Sequence, residues 1–338
     1  MIRTKTVAFT KSSTNIFFHI LTKCNLKCRH CYINPGQHGE NTLPLPVIKA
    51  WLETFARDSN SKNLIFLGGE PTLHPDLPAA VEYARNLGFD SITVDTNGYL
   101  FHDILSKVKP GAVDYFSFSL DGATRQTNDR IRGAGSFDTC MAGIRQANLK
   151  GFATSLIYTV SSANIHEVDM LPTFLKDTGI DRFFMQIIGL RGRSAKGSQT
   201  WIQDQKLQVE KSQWLDIIPR VARRIAEFGI TVTYPKVFLG HADNFECAGL
   251  VADNYFVFPN GRVYRCPLCE DYALHSLIFK NNQLVPAQKL NENDLFQLKI
   301  AEGCVMNKLI QPDNLNYDSA GKPEYKIACC LLKEEIII

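Results

Sequence analysis

Six short apolar segments, each followed by a helix-like stretch, limit the folds open to the first half of this 338-residue chain. The segments are rich in β-branched and aromatic residues, and most of them end in Gly or Asn, as buried strands do. They run over 15–21, 63–68, 91–97, 114–122, 153–160 and 182–189. Helices are predicted between them at 44–57, 76–87, 136–150 and 165–178, and a further amphipathic helix at 212–228.

Repeated strand–helix units indicate parallel strands, because a parallel pair needs a crossover that is long enough for a helix. The near-continuous apolar strands also indicate a sheet that is covered on both faces. A doubly wound sheet and a partial barrel both satisfy this pattern. In either fold ligands bind at the carboxyl ends of the strands, so the polar and glycine motifs found there are candidate functional residues.

The charge and hydropathy of the chain exclude several classes of partner. Thirty-seven basic and thirty-four acidic residues give a net charge of +3, which is too balanced to require nucleic acid or an anionic membrane. No run of about eighteen apolar residues is present, and the N-terminus lacks the pattern of a signal peptide. A cytoplasmic location is therefore predicted, where cysteines are more often metal ligands or reactive groups than disulfides.

The ten cysteines fall into two groups. Cys24, Cys28 and Cys31 are spaced C-x3-C-x2-C in the segment TKCNLKCRHCYINPG, directly after the first predicted strand. Six more lie between positions 247 and 330. Cys140 lies between the two groups in a predicted helix, where we expect a core residue.

Three thiols suit an iron–sulfur cluster with one open position. Four-iron clusters are normally held by four thiolates, so a site with three leaves one iron free to bind a small molecule. The same principle keeps one position open in catalytic zinc sites. The spacing alone also allows a zinc ion with a histidine as its fourth ligand, and the candidates are His19, His30 and His38.

The segment CNLKCRHC resembles the signature of the radical S-adenosylmethionine (radical SAM) superfamily, and further motifs follow at the ends of successive predicted strands. GGEPTLHP (68–75) resembles the GGE motif of that family. DTNG (95–98) and SLDG (119–122) resemble the ends of the third and fourth strands in its peptide-modifying branch. NDRIRGAGSF (128–137) resembles a segment of the same branch in which histidine is commoner than Asn128. Each motif alone is more often structural, but their order makes the resemblance specific.

The resemblance implies an α/β fold with a partial (β/α)6 barrel of the TIM type, which binds S-adenosylmethionine (SAM) at its mouth. Cys24, Cys28 and Cys31 are then expected to ligate a [4Fe–4S] cluster whose fourth iron is chelated by SAM. A reducing partner such as flavodoxin or ferredoxin is expected to supply the electron that yields a 5′-deoxyadenosyl radical. Tyr32 and His30 are expected to pack around the cluster and the adenine.

Eight residues at the strand ends are the expected SAM ligands on this resemblance. Gly69 and Glu70 are expected beside the ammonium group of SAM, and Arg132 opposite its carboxylate. Asn97 or Ser119 is expected to contact a ribose or methionine oxygen. The full set is Gly68, Gly69, Glu70, Asn97, Ser119, Asp121, Arg132 and Val160.

The second group of cysteines resembles the start of an auxiliary-cluster domain. Cys247, Gly261 and Cys266 are spaced C-x13-G-x4-C, and Pro259-Asn260-Gly261 indicates a β-hairpin. This pattern resembles SPASM and twitch domains, although the later SPASM cysteine run is missing. One auxiliary [4Fe–4S] cluster is expected, with ligands from Cys247, Cys266, Cys269, Cys304, Cys329 and Cys330. A structural zinc ion held by Cys266, Cys269 and two later cysteines is the alternative.

Three regions are predicted: an N-terminal extension over 1–15, the barrel over 16–235 and a small cysteine-rich domain over 236–338. The resemblance implies an enzyme that modifies a peptide or protein. A small molecule such as a tetrapyrrole is the alternative substrate, and a non-enzymatic iron–sulfur redox protein is the alternative class. Because 23 residues precede Cys24, a peptide is expected to need a separate carrier or the basic loop 190–197, which is itself expected to be a solvated connection.

Overall fold

Seven consecutive parallel strands form the body of the fold. The computed structural model describes residues 2–7, 13–57, 61–195 and 207–337. Its first eight strands are β1 (Arg3–Val7), β2 (Ser13–His19), β3 (Ser61–Leu67), β4 (Ser91–Thr96), β5 (Tyr115–Ser119), β6 (Thr154–Val160), β7 (Arg182–Ile187) and β8 (Thr231–Pro235). From β2 to β8 each strand pairs in parallel with the next one along the chain. This sequential order confirms the partial barrel, because a doubly wound sheet would reverse its strand order.

Helices connect the strands, and the longer ones (α2, α3, α6 and α8) each bury an apolar stripe. They are α1 (Pro35–His38), α2 (Leu45–Ala56), α3 (Leu77–Asn86), α4 (Ile104–Lys107), α5 (Arg125–Arg132), α6 (Ser136–Leu149), α7 (Leu171–Leu175) and α8 (Lys211–Ala226). The helices predicted at 44–57, 76–87, 136–150 and 212–228 are confirmed within two residues. The helix predicted over 165–178 is instead a 3-10 segment, Ile165–Met170, followed by the short α7. Pro172 lacks the N–H that a continuous helix would need there.

Strand β5 shows how the barrel separates its two faces. Phe116 and Phe118 are fully buried, and a Cβ added to Gly143 of α6 would lie 3.0 Å from the Phe118 ring. The helix layer therefore covers the face that carries these rings. Alternation of side chains along a strand places Ser117 on the opposite, inner face, beside Asp95, its registered partner in β4. The interior of the barrel is therefore polar at this level.

The chain beyond residue 235 is joined to both sides of the barrel sheet. Its strands are β9 (Phe238–Leu239), β10 (Asp253–Val257), β11 (Arg262–Tyr264), β12 (Leu277–Lys280), β13 (Gln283–Pro286), β14 (Lys326–Ile327) and β15 (Lys333–Ile337). Its helices are α9 (Ala248–Val251), α10 (Glu292–Phe296) and α11 (Val305–Ile310). The predicted hairpin is present as β10 and β11. Gly261 turns it with a φ of 86°, which is a conformation that favours glycine.

One sheet of thirteen strands contains the barrel and most strands of the tail, in the order β1-β15-β8-β7-β6-β5-β4-β3-β2-β10-β11-β12-β13. Strand β10 pairs in parallel with β2, and β15 pairs antiparallel with β8. Side-chain amides also cross the junction, because Asn63 donates to Asn15 and Asn15 donates to Asn254, each over 3.0 Å. The division of the chain between residues 235 and 236 into a barrel and a cysteine-rich domain therefore stays a prediction about function. Among the described residues, no helix is long and apolar enough to span a bilayer.

Candidate active site

Cys24, Cys28 and Cys31 lie on the loop that follows β2, at the carboxyl end of the first barrel strand; we call residues 22–36 the cysteine loop. All three thiols are free of disulfides and half-buried. The backbone N–H of Leu26 lies 3.4 Å from Cys24 Sγ, and Cys28 Sγ lies 3.8 Å from the carbonyl oxygen of Arg132. Burial raises the pKa of Cys24 to about 12 and also raises the pKa of Cys28. Metal binding at these thiols must therefore release protons.

The glycines that follow β3 allow a close approach of the chain to the cysteine loop. The N–H groups of Gly69 and Glu70 donate to the carbonyls of Leu21 and Lys23, both over 3.0 Å. A Cβ added to Gly69 would lie 2.3 Å from the carbonyl oxygen of Lys23, and one added to Gly68 would lie 2.8 Å from that of Leu21. Only glycine fits such spacing, so this pair is required by the packing of two backbones.

The carboxylate of Glu70 ties the ends of β3 and β4 together. Its Oε1 accepts from the hydroxyls of Thr72 and Thr96, over 2.6 and 2.8 Å, and its Oε2 accepts from the backbone N–H of Asn97 over 2.7 Å. Burial raises its pKa. The side chain is thus engaged within the protein, and the expected contact with the ammonium group of SAM stays a prediction that rests on the backbone.

Asn97 connects the end of β4 with the cysteine loop. Its amide Nδ2 donates to Asn25 Oδ1 over 2.8 Å and lies 3.8 Å from Cys24 Sγ. Its own backbone N–H is held by Glu70. Glu70 thus contacts Asn97, and Asn97 in turn lies beside Cys24. These contacts place the GGE and DTNG motifs on one side of the cysteine loop.

Asp121, just beyond the end of β5, is fully buried and anchors two basic side chains. Its Oδ2 lies 2.6 Å from Arg132 Nε and 3.1 Å from His30 Nε2, and its Oδ1 accepts from the N–H of Thr159 over 2.7 Å. Burial works to raise the pKa of Asp121, but the Arg132 guanidinium and His30 outweigh it and hold the pKa well below its usual range. The expected SAM contacts of Asp121 and Arg132 stay predictions. In the structure the two side chains bind each other.

The remaining predicted residues divide into packing and positioning roles. Val160 is fully buried in the main apolar core, and its expected contact with SAM stays a prediction. Ser119 offers its carbonyl to the thiol of Cys140, 3.6 Å away, and Cys140 is buried in α6, which confirms it as a core residue. Asn128, where the related motif has histidine, accepts from the N–H of Asp121 over 2.9 Å.

The three histidines near the cysteine loop are already bonded elsewhere. His38 accepts from the N–H of Asn34 and donates to the carbonyl of Glu270, each over 3.0 Å, and burial lowers its pKa to about 4. His19 lies 2.9 Å from the carbonyl of Val257 and 2.7 Å from the Tyr32 hydroxyl, and burial lowers its pKa to about 3. The prediction that Tyr32 and His30 pack around the cluster and adenine is untested, and their contacts here are with His19 and Asp121. His19 and His38 would have to break one of these bonds to become a fourth zinc ligand, whereas His30 has a ring nitrogen, Nδ1, that makes no hydrogen bond.

Five cysteines of the tail line one cavity and a sixth lies beside them, although they come from well-separated segments. The cavity is lined by Cys247, Cys266, Cys304, Cys329 and Cys330, and Cys269 is buried beside Cys266 in the same apolar cluster. Burial raises the pKa of Cys304 to about 12. The hydrogen bond from Cys329, together with Arg191 and Lys333, lowers the pKa of Cys330 to about 7 against the effect of burial. Five thiols around one cavity, with a sixth buried beside them, are a suitable donor set for an iron–sulfur cluster.

The geometry gives no support to the zinc alternatives. Within the part of the chain that the structure describes, no three His, Cys, Asp or Glu side chains converge on a point that could hold a single metal ion. Zinc gathers its thiolates at about 2.3 Å around one ion, whereas the thiolates of a four-iron cluster each bind a different iron.

The loop after β7 joins the two cysteine groups, which sequence reasoning missed. Leu190 and Ser194 are buried, and the N–H of Arg193 donates to the carbonyl of Cys31 over 2.9 Å. The prediction of a solvated connection over 190–197 is therefore wrong for residues 190–195, because they pack between the two sites, while 196 and 197 lie outside the described residues. The signal was its position: like GGE, DTNG and SLDG, the loop follows the carboxyl end of a barrel strand.

A partial barrel with three thiols at its mouth and a second thiol-lined cavity in its tail defines an iron–sulfur protein of the α/β barrel class. The family model described as the Radical SAM superfamily matches residues 19–193, just over half of the chain. The chain belongs to this superfamily. It is therefore an enzyme whose cofactors are a [4Fe–4S] cluster and SAM.

Curated relatives share about 30% of the sequence in the matched part. Fe-coproporphyrin III synthase of Methanosarcina barkeri is 31% identical over 218 residues, which cover 63% of this chain and 53% of that protein. Pre-heme d1 synthase of Dinoroseobacter shibae is 30% identical over 184 residues, 54% of this chain and 45% of that protein. A probable GTP 3′,8-cyclase of Metallosphaera sedula is 29% identical over 193 residues, 56% and 60%. The matches span about half the length of these relatives.

Solved structures extend the similarity of fold into the tail. Streptococcus suis SuiB has a TM-score of 0.61 at 16% identity, over 89% of this chain and 66% of that chain. The structure described as native anSMEcpe with bound AdoMet and Kp18Cys peptide has a TM-score of 0.63 at 15% identity, over 88% of each chain. These matches include the cysteine-rich tail, so the barrel and the tail together recur as one fold.

Proposed function

We propose that this chain is a radical SAM enzyme with a second, auxiliary [4Fe–4S] cluster, which oxidises a substrate bound between its two cysteine-lined sites. The observation that carries the proposal is the cavity lined by five tail thiols, with a sixth beside it, joined to the cysteine loop through the loop after β7. The functional division follows from it: residues 16–235 would form the SAM-cleaving barrel and residues 236–338 the auxiliary-cluster region.

Cys24, Cys28 and Cys31 would hold the first cluster, and four of the six tail thiols would hold the second. When bound, the two groups supply distinct chemistry: SAM on the first cluster supplies a 5′-deoxyadenosyl radical for hydrogen abstraction, and the second cluster supplies an acceptor for the electron left on the substrate. A flavodoxin or ferredoxin would be the reducing partner.

The chain's own residues would shape the SAM pocket by holding the strand ends in place. Gly68 and Gly69 allow the cysteine loop to lie against the end of β3. Glu70 fixes the backbone of Asn97, and Asp121 fixes Arg132 beside Cys28. The positive charge of Arg132 acts on Cys28, and Arg132 would be the partner of the SAM carboxylate. Ser119 or Asn97 would contact a ribose or methionine oxygen.

Anaerobic reconstitution tests the two-cluster proposal. About eight irons and eight sulfides per chain are expected for two [4Fe–4S] clusters and about four for one. With dithionite and SAM, Cys28→Ala should abolish the formation of 5′-deoxyadenosine, whereas Cys304→Ala should retain it and lose substrate conversion. Protein that binds zinc without sulfide, or that takes up iron but never yields 5′-deoxyadenosine, contradicts the proposal.

A peptide or protein is the first candidate substrate. The structural matches to SuiB and to peptide-bound anSMEcpe cover nearly nine-tenths of this chain, tail included, whereas the match to the curated relatives with the highest identity covers 63%. Since the substrate of such an enzyme would contact both regions, the longer similarity favours the peptide.

A carboxylated tetrapyrrole is the second candidate, and two observations favour it. The relatives at 30% and 31% identity are named as tetrapyrrole enzymes. Lys23, Lys27 and Arg29 are also exposed on the cysteine loop, where they would attract a substrate with several carboxylates.

Stimulation of SAM cleavage separates the two candidates. Reconstituted enzyme would be incubated with SAM, dithionite and either siroheme, an iron tetrapyrrole with several carboxylates, or the Kp18Cys peptide, and 5′-deoxyadenosine would be measured along with the mass of each substrate. A faster release and a changed mass only with the peptide support the first candidate. The same response only with the tetrapyrrole replaces it by the second.

A further inference from the structure

A buried arginine stands between the two cysteine-lined sites. Arg191 lies in the loop that follows β7, just before the 3-10 turn Gly192–Ser194. Its side chain is 20% exposed. Its Nη1 donates to the carboxylate of Glu270 and to the carbonyl of Pro267. Glu270 follows Cys269 directly, and its side chain is only 2% exposed. One edge of the guanidinium is therefore hydrogen-bonded to the loop that carries Cys266 and Cys269.

A face of the same guanidinium lies over the ring of Tyr32, with its central carbon 4.6 Å from the ring centroid. Tyr32 follows Cys31 directly, and its hydroxyl is 2.7 Å from His19 Nε2. The His19 ring in turn stacks on Phe258 of the tail hairpin, with 4.1 Å between the ring centroids. Arg191 thus contacts the residue next to a proposed ligand at each site.

Further hydrogen bonds hold the same junction. The N–H of Gly192 donates to Asp271 Oδ2 over 2.8 Å, and Asn34 Nδ2 donates to Asp271 Oδ1 over 3.0 Å. A Cβ added to Gly192 would lie 2.4 Å from the carbonyl oxygen of Cys31. Segments 31–34, 191–193 and 270–271 therefore form one packed unit with Arg191 at its centre.

We infer that Arg191 is a positioning residue that fixes the loop of Cys266 and Cys269 against the cysteine loop and sets the reduction potential of the auxiliary cluster through its permanent positive charge. Arginine stays protonated in proteins, and a charge acts more strongly where water is excluded. A cation near an iron–sulfur cluster favours the reduced form, which carries one more negative charge. The inference rests on the proposed function, because it requires an auxiliary cluster.

Two substitutions in the pair should move the potential in opposite directions. Arg191→Met removes one positive charge, so at a pH high enough to keep Glu270 ionised the potential of the auxiliary cluster should become more negative. Glu270→Gln removes a carboxylate and keeps the arginine, so the potential should become more positive. Arg191→Lys keeps the charge but not the planar fork, so its potential should lie between those of the wild type and Arg191→Met.

The experiment is a redox titration followed by electron paramagnetic resonance in a background that lacks Cys24, Cys28 and Cys31, so that only the auxiliary cluster responds. Arg182→Met is the matched control: Arg182 pairs with Glu335 over 3.2 Å at the opposite end of the same strand β7, and its loss should leave the potential unchanged. Unchanged potentials in both Arg191→Met and Glu270→Gln, or shifts of equal sign, overturn the inference. If Arg191→Met fails to fold, Glu270→Gln and Arg191→Lys decide the question.

Failure of the proposed function gives a different result. Wild-type protein that reconstitutes with only one cluster, or that never forms 5′-deoxyadenosine, contradicts the proposed function before any variant is compared. Wild-type protein with both clusters and a potential that ignores the charge at position 191 contradicts the role of Arg191 alone.

Discussion

The cysteine loop and the tail cavity collect their thiols in different ways. Three thiols of the first site come from eight consecutive residues, so their spacing is fixed by one short loop. The thiols of the second site come from four separate segments that precede α9, follow β11, precede α11 and follow β14. A local site is therefore encoded by a motif, whereas a composite site is encoded by the fold that brings its segments together.

Both sites nevertheless use a buried glutamate to hold their backbone. Glu70 accepts from the N–H of Asn97 at the first site. Glu292 accepts from the N–H groups of Arg265 and Cys266, over 2.7 and 3.0 Å, and from the Ser276 hydroxyl over 2.6 Å at the second. Each carboxylate meets several donors that would otherwise be buried without a partner. The two sites thus differ in how the thiols are collected but share one way of fixing them.

We expect the largest effect from Gly69→Ala, which should disrupt only the first site. Gly69→Ala adds a Cβ that would lie 2.3 Å from the carbonyl oxygen of Lys23, so the cysteine loop must move away from β3. Displacements of about 1 Å can cost about a hundredfold in rate, and we expect the rate of 5′-deoxyadenosine formation to fall at least that far. Iron should fall by about four per chain while the auxiliary cluster is retained.

Gly111→Ala is the matched control for this change. Nothing lies within 4 Å of a Cβ at Gly111, and its backbone is not in the left-handed region. Rates and iron contents equal to the wild type are expected there. A Gly69→Ala variant with the full rate would show that the two backbones need not approach so closely.

We expect the next largest effect from Glu292→Gln, which should disrupt only the second site. In Glu292→Gln one acceptor oxygen becomes an NH2 group, which then faces backbone or hydroxyl donors. A buried donor left without a partner costs about 1–3 kcal/mol, so we expect a lower melting temperature and a loss of auxiliary-cluster iron. The rate of 5′-deoxyadenosine formation without substrate should stay near that of the wild type. Equal loss of both clusters would contradict the separation of the two sites.

The sequence allowed the first site to be predicted more fully than the second. The GGE and DTNG motifs are brought to the cysteine loop, as expected, because the carboxyl ends of parallel strands share one edge. The anchoring of Arg132 by Asp121 and the burial of Val160 were not predictable, because a motif does not say which side of a strand end faces a neighbour. The role of Arg191 was missed because its partner Glu270 lies 79 positions away along the chain.

The pH dependence of stability tests the environment of Asp95 in the polar interior of the barrel. Burial raises the pKa of Asp95 to about 7, whereas an unfolded aspartate ionises near pH 4. Between these values the folded protein keeps a proton that the unfolded chain has lost, so this residue lowers stability as the pH rises from about 4 to 7. Asp95→Asn imitates the protonated form and should gain stability relative to the wild type at pH 8 compared with pH 5.

Denaturant unfolding of both proteins at a series of pH values measures this difference. Ser117 hydrogen-bonds the Asp95 side chain, so Ser117→Ala serves as a comparison that removes a partner but not the carboxyl group. A stability difference between the wild type and Asp95→Asn that does not change with pH would show that Asp95 ionises normally. The interior would then be wetter than its burial indicates.

The smallest effect concerns the cysteine that belongs to neither site. Cys140 is buried in α6, and its thiol faces the carbonyl of Ser119. Cys140→Ala removes one sulfur atom from a packed core, for which we expect a loss of about 1 kcal/mol in the free energy of unfolding. Iron and sulfide contents should be unchanged, because the remaining nine cysteines include every proposed ligand. A loss of iron in this variant would extend the first site along the chain as far as α6, and the contrast between a local and a composite site would no longer hold.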